Sequence, residues 1–184
     1  MPLIKGFYQN TTLEVTTPNG KALVRIKGKE YGETPVNIQN LVAGEYEVEL
    51  IRSSQQEGFY NPQTFNIKLT KNTTSRINME IGPGDNLHGI LLYYTESNLI
   101  ESGKGKITIT SNIDNTRIYI DDEYLKNTPI TNIDLDSKEY DIVLRSDGYE
   151  QLQFPVVVRD GYTLNIQAYL FPTPITFDSV TEDE

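Results

Sequence analysis

Apolar and polar residues alternate through much of the chain. Leu13-Glu14-Val15, Val24-Arg25-Ile26, Tyr46-Glu47-Val48-Glu49-Leu50 and Ile77-Asn78-Met79-Glu80-Ile81 all have period two. That period sends successive side chains to opposite faces of a strand, so one face packs and the other meets water. Thr, Val, Ile and Tyr, which suit a pleated and half-buried backbone, recur in these segments. Turn formers separate them at Pro18-Asn19-Gly20, Lys27-Gly28-Lys29, Ala43-Gly44 and Asp160-Gly161. No long helical stripe with caps is present. The pattern predicts an all-β protein of antiparallel sheets stacked as small sandwiches.

The alternating segments occur twice. Thr34-Pro35 returns as Thr128-Pro129, 94 positions later. At that offset Leu13 and Val15 match Ile107 and Ile109, Val24 and Ile26 match Ile118 and Ile120, and Tyr46, Val48 and Leu50 match Tyr140, Ile142 and Leu144. The offset then shortens, because the first copy carries extra residues in Ser53–Glu57. Phe65, Ile67 and Leu69 answer Phe154, Val156 and Val158, and Ile77, Met79 and Ile81 answer Leu164, Ile166 and Ala168. Two tandem domains are expected, at 12–84 and 106–172. They are preceded by an N-terminal segment (1–11), separated by a connector (85–105) and followed by an acidic tail (173–184). Copies this small bury little core, so packing of one on the other would aid stability. Just before the connector, Gly82-Pro83-Gly84 breaks the preceding strand. Ile90-Leu91-Leu92-Tyr93-Tyr94 is apolar enough to need cover and is expected to form an extra strand or a clasp between the copies.

The first copy has Pro18-Asn19-Gly20-Lys21-Ala22, then Gly32-Glu33-Thr34-Pro35, then Leu41-Val42-Ala43-Gly44-Glu45-Tyr46, and Gly58-Phe59. This resembles the PEGA domain family. The second copy keeps Thr128-Pro129, Leu135, Tyr140 and Gly148-Tyr149 but has Asn112-Ile113-Asp114-Asn115-Thr116 in place of the name motif. The layout also looks like the tandem-PEGA envelope proteins and lipoproteins of small-genome bacteria. The resemblance implies two prealbumin-like sandwiches and an extracytoplasmic location, at the cell envelope or surface, anchored through a segment outside this sequence. It carries no catalytic residue across.

Charge bears on partners. Residues 1–81 hold nine Lys/Arg against eight Asp/Glu, whereas 106–184 hold six against fifteen. An acidic second half repels phosphate backbones and anionic lipid, which argues against nucleic acid as a partner. No apolar run approaches the roughly 18–20 residues of a spanning helix, so this segment is not expected to insert in a membrane directly. With no cysteine in the chain, disulfides and thiolate metal sites are excluded.

Candidate chemistry is sparse. His88, the single histidine, stands in the connector beside Gly89 and reads as an exposed loop residue. No Gly-x-Ser-x-Gly elbow accompanies it. Asp121, Asp122, Asp134 and Asp136 supply hard oxygen ligands of the kind calcium uses, yet Asp121-Asp122 aligns with Lys27-Gly28, a predicted hairpin turn where Asp is favoured for backbone reasons. Tyr46 and Tyr140, at matched positions, are expected in the core with their hydroxyls at the rim. No catalytic residue and no cofactor are assigned, and the chain is not expected to be an enzyme. A non-catalytic spacer or protein-binding module of the cell envelope leads. The alternatives are a phage virion structural protein (tail or decoration subunit), and a glycan-binding module using exposed members of the twelve Tyr residues.

Overall fold

A computed structural model describes residues 10–54, 58–97 and 100–174. Most of the expected N-terminal segment and acidic tail, and residues 55–57 of the extra stretch in the first copy, lie outside the described residues.

Fifteen strands follow one another: β1 (Thr12–Thr16), β2 (Ala22–Ile26), β3 (Lys29–Glu33), β4 (Val36–Gln39), β5 (Gly44–Arg52), β6 (Gln63–Leu69), β7 (Thr74–Ile81), β8 (Leu87–Glu96), β9 (Lys104–Ser111), β10 (Arg117–Ile120), β11 (Glu123–Asn127), β12 (Ile130–Asp136), β13 (Glu139–Arg145), β14 (Leu152–Val157) and β15 (Tyr162–Tyr169). They make one seven-stranded sheet, in the order β12-β9-β15-β8-β7-β1-β4, and two four-stranded sheets, β3-β2-β5-β6 and β11-β10-β13-β14.

The seven-stranded sheet is shared by the two copies, and β8 is its centre. It pairs antiparallel with β7 on one side and with β15 on the other. Outward from β8 the strands on each side are equivalent members of the repeat. Alternation along β8 explains the layering. Ile90, Leu92 and Tyr94 belong to the core of the second copy, while Leu91, between them, belongs to the core of the first. Consecutive residues point to opposite faces, so the two small sheets lie on opposite faces of the shared sheet. A half-turn about β8 exchanges the copies. The exchange includes a slide, because Ile77 of β7 opposes Leu91 whereas its equivalent Leu164 of β15 opposes Tyr94. Three residues of β8 amount to about 10 Å at roughly 3.3 Å per residue. Apolar side chains on both faces of one strand explain the uninterrupted Ile90–Tyr94 run, since a strand buried on both sides does not alternate.

Two features go beyond an antiparallel reading. β1 runs parallel to β7, and β9 runs parallel to β15. These pairs join the first and last strands of each copy inside the shared sheet, with β4 and β12 at its edges. Each copy's core is then two layers deep. Leu13, Val15, Ile77 and Met79 from the shared sheet meet Val24, Val48, Leu50, Phe65 and Ile67 from the first small sheet. Ile107, Ile109, Leu164 and Ile166 meet Ile118, Ile142, Leu144, Phe154 and Val156 in the second.

The hairpin turns show why the aspartates sit where they do. Lys27-Gly28 joins β2 to β3, and Asp121-Asp122 joins β10 to β11. All four residues have positive φ, of 49, 77, 49 and 66° respectively. Two consecutive positive-φ residues make the turn whose twist matches a hairpin, and Asp tolerates it next best after Gly and Asn.

Candidate functional site

The conspicuous residues of the repeat hold the chain to itself. Thr34 and Thr128 are buried, and each closes a two-way bridge twelve residues back. Thr34 donates its N–H to the Ala22 carbonyl at 2.9 Å and accepts the Ala22 N–H on Oγ1 at 3.1 Å. Thr128 does the same with Thr116, at 2.8 and 3.1 Å. Both Thr-Pro bonds are cis. Tyr46 donates its hydroxyl to the Val42 carbonyl at 2.8 Å, and Tyr140 donates to the Asp136 carbonyl at 3.1 Å. Each hydroxyl reaches back four residues along its own chain and ties the loop before the strand to the core, much as a tyrosine corner does. Burial raises both phenol pKa values above their ordinary 10.0. The repeat alignment singled out the Thr-Pro and the tyrosines. The carbonyl and amide partners were not legible there, because they depend on loop paths.

His88 corrects the sequence expectation. It lies in β8, half-buried, and not in an exposed loop. Its Nδ1 accepts the Phe171 N–H at 3.2 Å, and its ring packs on Phe171 at a centroid distance of 5.3 Å. Desolvation lowers its pKa below 6.5, against the opposing pull of Glu150 and Glu80. The helpful signal was the hydrophobic run that begins two residues later, which could have been extended backward.

The four acids are not brought together. Asp121 Oδ1 accepts the Asp141 N–H at 3.0 Å, and its Oδ2 faces Lys138 Nζ at 3.4 Å. Asp134 pairs with Lys106 at 3.3 Å on the shared sheet. Asp122 is in the β10–β11 turn and Asp136 ends β12. Among the described residues, no three His, Asp or Glu side chains are placed to hold a metal ion.

What remains accessible is set by a mismatch of widths. The shared sheet continues past the edge of each small sheet, leaving a step on either face. Along β14 the step is a 530 Å³ cleft lined by Thr74, Arg76, Leu92, Tyr94, Glu139 and Arg159, among others. It is braced. Tyr94 donates its hydroxyl to the Val157 carbonyl at 2.7 Å, and Arg159 lies over the Tyr94 and Tyr162 rings at 5.6 and 5.2 Å. Arg159 Nη1 also donates to the Asn72 carbonyl of the other copy at 2.9 Å. Along β6 the step is a 740 Å³ trough with Tyr93, Thr95 and Gln167 at its floor.

Among the differences between the outer faces of the small sheets is one triad. In the first copy Arg25 pairs with Glu30 and Glu49 at 3.1 and 2.9 Å. The equivalent positions 94 residues on are Tyr119, Tyr124 and Val143. Tyr119 and Tyr124 make an edge contact at 5.7 Å, Arg145 lies 4.9 Å over Tyr119, and together they cover Val143, which is 2% exposed. Tyr124 itself is 58% exposed. An ionic cluster in the first copy corresponds to an aromatic one in the second at equivalent ladder positions.

None of the curated proteins matches the chain. Among solved structures there is a likeness to "The Bacillus anthracis TIE protein", at 12% identity and a TM-score of 0.32, covering 87% of this chain and 34% of that one. The chain thus spans about a third of that structure's length. The PEGA domain family model matches twice, at residues 10–85 and 104–174. PEGA domains are typical of extracytoplasmic and surface-associated proteins. Among the described residues no helix is long and apolar enough to cross a membrane. With both matches falling on the two halves related by β8, this chain belongs to the PEGA domain family and carries two tandem copies of the domain.

Proposed function

We propose that the chain is a non-catalytic module of an extracytoplasmic protein, which holds two domains in one fixed relation and offers its sheet edges to a protein partner. One observation carries the reading: β8 gives Leu91 to one core and Ile90, Leu92 and Tyr94 to the other. A hinge between the copies would have to break the ladder of β8 to β7 or to β15. The side chains that chemistry would recruit support the same reading, since His88, Asp121, Tyr46 and Tyr140 each have a structural occupation. A spacer or scaffold needs this stiffness, and loops and edges on a rigid frame are where recognition sits.

The test is a distance distribution between spin labels placed at Lys29 and Glu123. These residues are exposed and equivalent, each following the hairpin turn of its own copy. A single narrow distribution, unchanged by temperature up to the unfolding transition, is the expected result. A broad or two-peaked distribution would overturn the reading.

The Tyr119–Tyr124 pair favours a second reading, a glycan contact on the outer face of the second copy. Exposed Tyr124, beside Arg145 and half-buried Tyr119, offers a ring face and charged donors to a sugar. Binding on a glycan array that is lost with Tyr124→Ala would support it. Binding indifferent to that change, or no binding, would exclude it.

A further inference from the structure

The two steps are related by the repeat, yet the strand edge at one is interrupted by a proline and the edge at the other is not. On β14, Pro155 stands where β6 has Asn66. Pro155 opposes Asp141 in the ladder, and Asn66 opposes Glu47 at the equivalent place. Proline has no N–H to give, so this ladder position does not need one. It follows that the Asn66 N–H points away from β5, toward the step. Thr64 and Lys68, two residues to either side, share its orientation. The Lys68 carbonyl is already taken by the Ser75 hydroxyl at 3.1 Å, which leaves the Lys68 N–H and both backbone groups of Asn66 at the trough, with those of Thr64 continuing the same edge beyond its lining. β6 is seven residues long and pairs with β5 without a register shift. It holds no proline, whereas Pro155 interrupts β14 and Arg159 braces the cleft beside it; the Tyr94 hydroxyl on the Val157 carbonyl only matches the Ser75 hydroxyl on the Lys68 carbonyl. Proline and covering groups are how proteins close an edge.

The floor matters as much as the edge. β6 packs across the sandwich on β7 and β8, and the shared sheet continues beyond it to β15. A strand laid beside β6 would therefore rest on Tyr93, Thr95 and Gln167. Glu45 and Glu47 flank the trough and outnumber Lys68, so the trough is locally acidic although residues 1–81 are close to charge balance.

We propose that β6 is a docking edge for an extended, basic segment of a partner protein, which adds as a fifth strand to the first small sheet. This rests on the protein-binding reading above and names its site and the chemistry of its partner. Main-chain bonds to Thr64, Asn66 and Lys68 would supply affinity, and Lys or Arg side chains reaching Glu45 and Glu47 would supply selectivity.

The experiment selects peptides from a random twelve-residue phage library against the intact chain, then measures the synthesised binders by fluorescence anisotropy. The variants are Asn66→Pro and the pair Glu45→Gln/Glu47→Gln. Proline is the natural residue at this position in the second copy, so Asn66→Pro keeps the fold, and its near-ultraviolet circular dichroism checks that. Expected are binders bearing Lys or Arg, a loss of about tenfold or more with Asn66→Pro, which is about 1.4 kcal/mol, and a weaker, salt-sensitive loss with the Gln pair. Binding should also shift the amide resonances of Thr64, Asn66 and Lys68. Peptides that bind with unchanged affinity to Asn66→Pro and shift amides elsewhere would overturn the β6 assignment while leaving a protein-binding module standing. Failure to select any peptide would overturn the assignment and take the support from the wider reading as well.

Discussion

Truncating β8 on one face and then on the other separates a fused pair of domains from two beads on a string. Leu91 is fully buried against the first core and Leu92 is 4% exposed against the second. Each Leu→Ala change removes buried apolar atoms and leaves a cavity in a sheet with neighbours on both sides. A cost of ~3 kcal/mol is expected for each, within the ~2–5 kcal/mol span for such sites. If the described 160 residues unfold as one unit, this lowers the melting temperature by ~6–12 °C, at roughly 2–4 °C per kcal/mol for a unit of this size. Independent copies would respond otherwise. Leu91→Ala would lower a first-copy transition by ~12–24 °C, at roughly 4–8 °C per kcal/mol for a unit of half the size, and would leave the second in place. Differential scanning calorimetry decides between these outcomes. A single endotherm is expected in all three proteins, with calorimetric and van't Hoff enthalpies in agreement. Two endotherms, with Leu91→Ala moving one and Leu92→Ala the other, would refute the reasoning.

Other consequences follow from single contacts. Gly89 has φ +145°, and a Cβ there would lie 2.0 Å from the Asn78 carbonyl oxygen. Gly89→Ala should cost at least ~2 kcal/mol, read from the urea midpoint, and an unchanged midpoint would mean that β8 does not approach β7 so closely. Tyr140→Phe leaves the Asp136 carbonyl without its donor and should cost ~1 kcal/mol, read the same way; no loss would place that hydroxyl in water. His88 has a folded-state pKa below its unfolded value of 6.5, so the unfolded chain binds the proton more readily. Its contribution is complete above that pH and is lost as the pH falls through it. The stability difference between the wild type and His88→Gln should therefore shrink between pH 7.5 and pH 5.5, and a constant difference would show that His88 is not held neutral.

The strands of both copies were legible because one face of each meets water, which leaves period two in the sequence; Ile77-Asn78-Met79-Glu80-Ile81 is an example. The apolar run Ile90–Tyr94 was legible as a segment needing cover. That its successive residues serve different cores could not be read, because pairing partners far apart in sequence leave no local trace. For the same reason the parallel pairing of β1 with β7 and of β9 with β15 was hidden, although parallel pairs need the long crossovers that each copy supplies. His88 was misplaced because Gly82-Pro83-Gly84 marks a break, and the start of the next strand carries a histidine and a glycine in place of apolar residues. Tyr124 was lost among tyrosines that alternation places inside. Only the ladder, setting it opposite Tyr119 where the first copy has Glu30 and Arg25, exposes the exchange. The open edge of β6 was out of reach altogether, since an edge is defined by which strand is absent beside it.

The claim on which all of this depends is that β8 is common to two cores on opposite faces of one sheet. Methyl–methyl nuclear Overhauser effects from its two central leucines test it most directly. Leu91 should show cross-peaks to Ile77 and the first core, and Leu92 to Ile166 and the second, with no methyl common to both sets. Cross-peaks from both leucines to one and the same core, or from neither to the second copy, would contradict it.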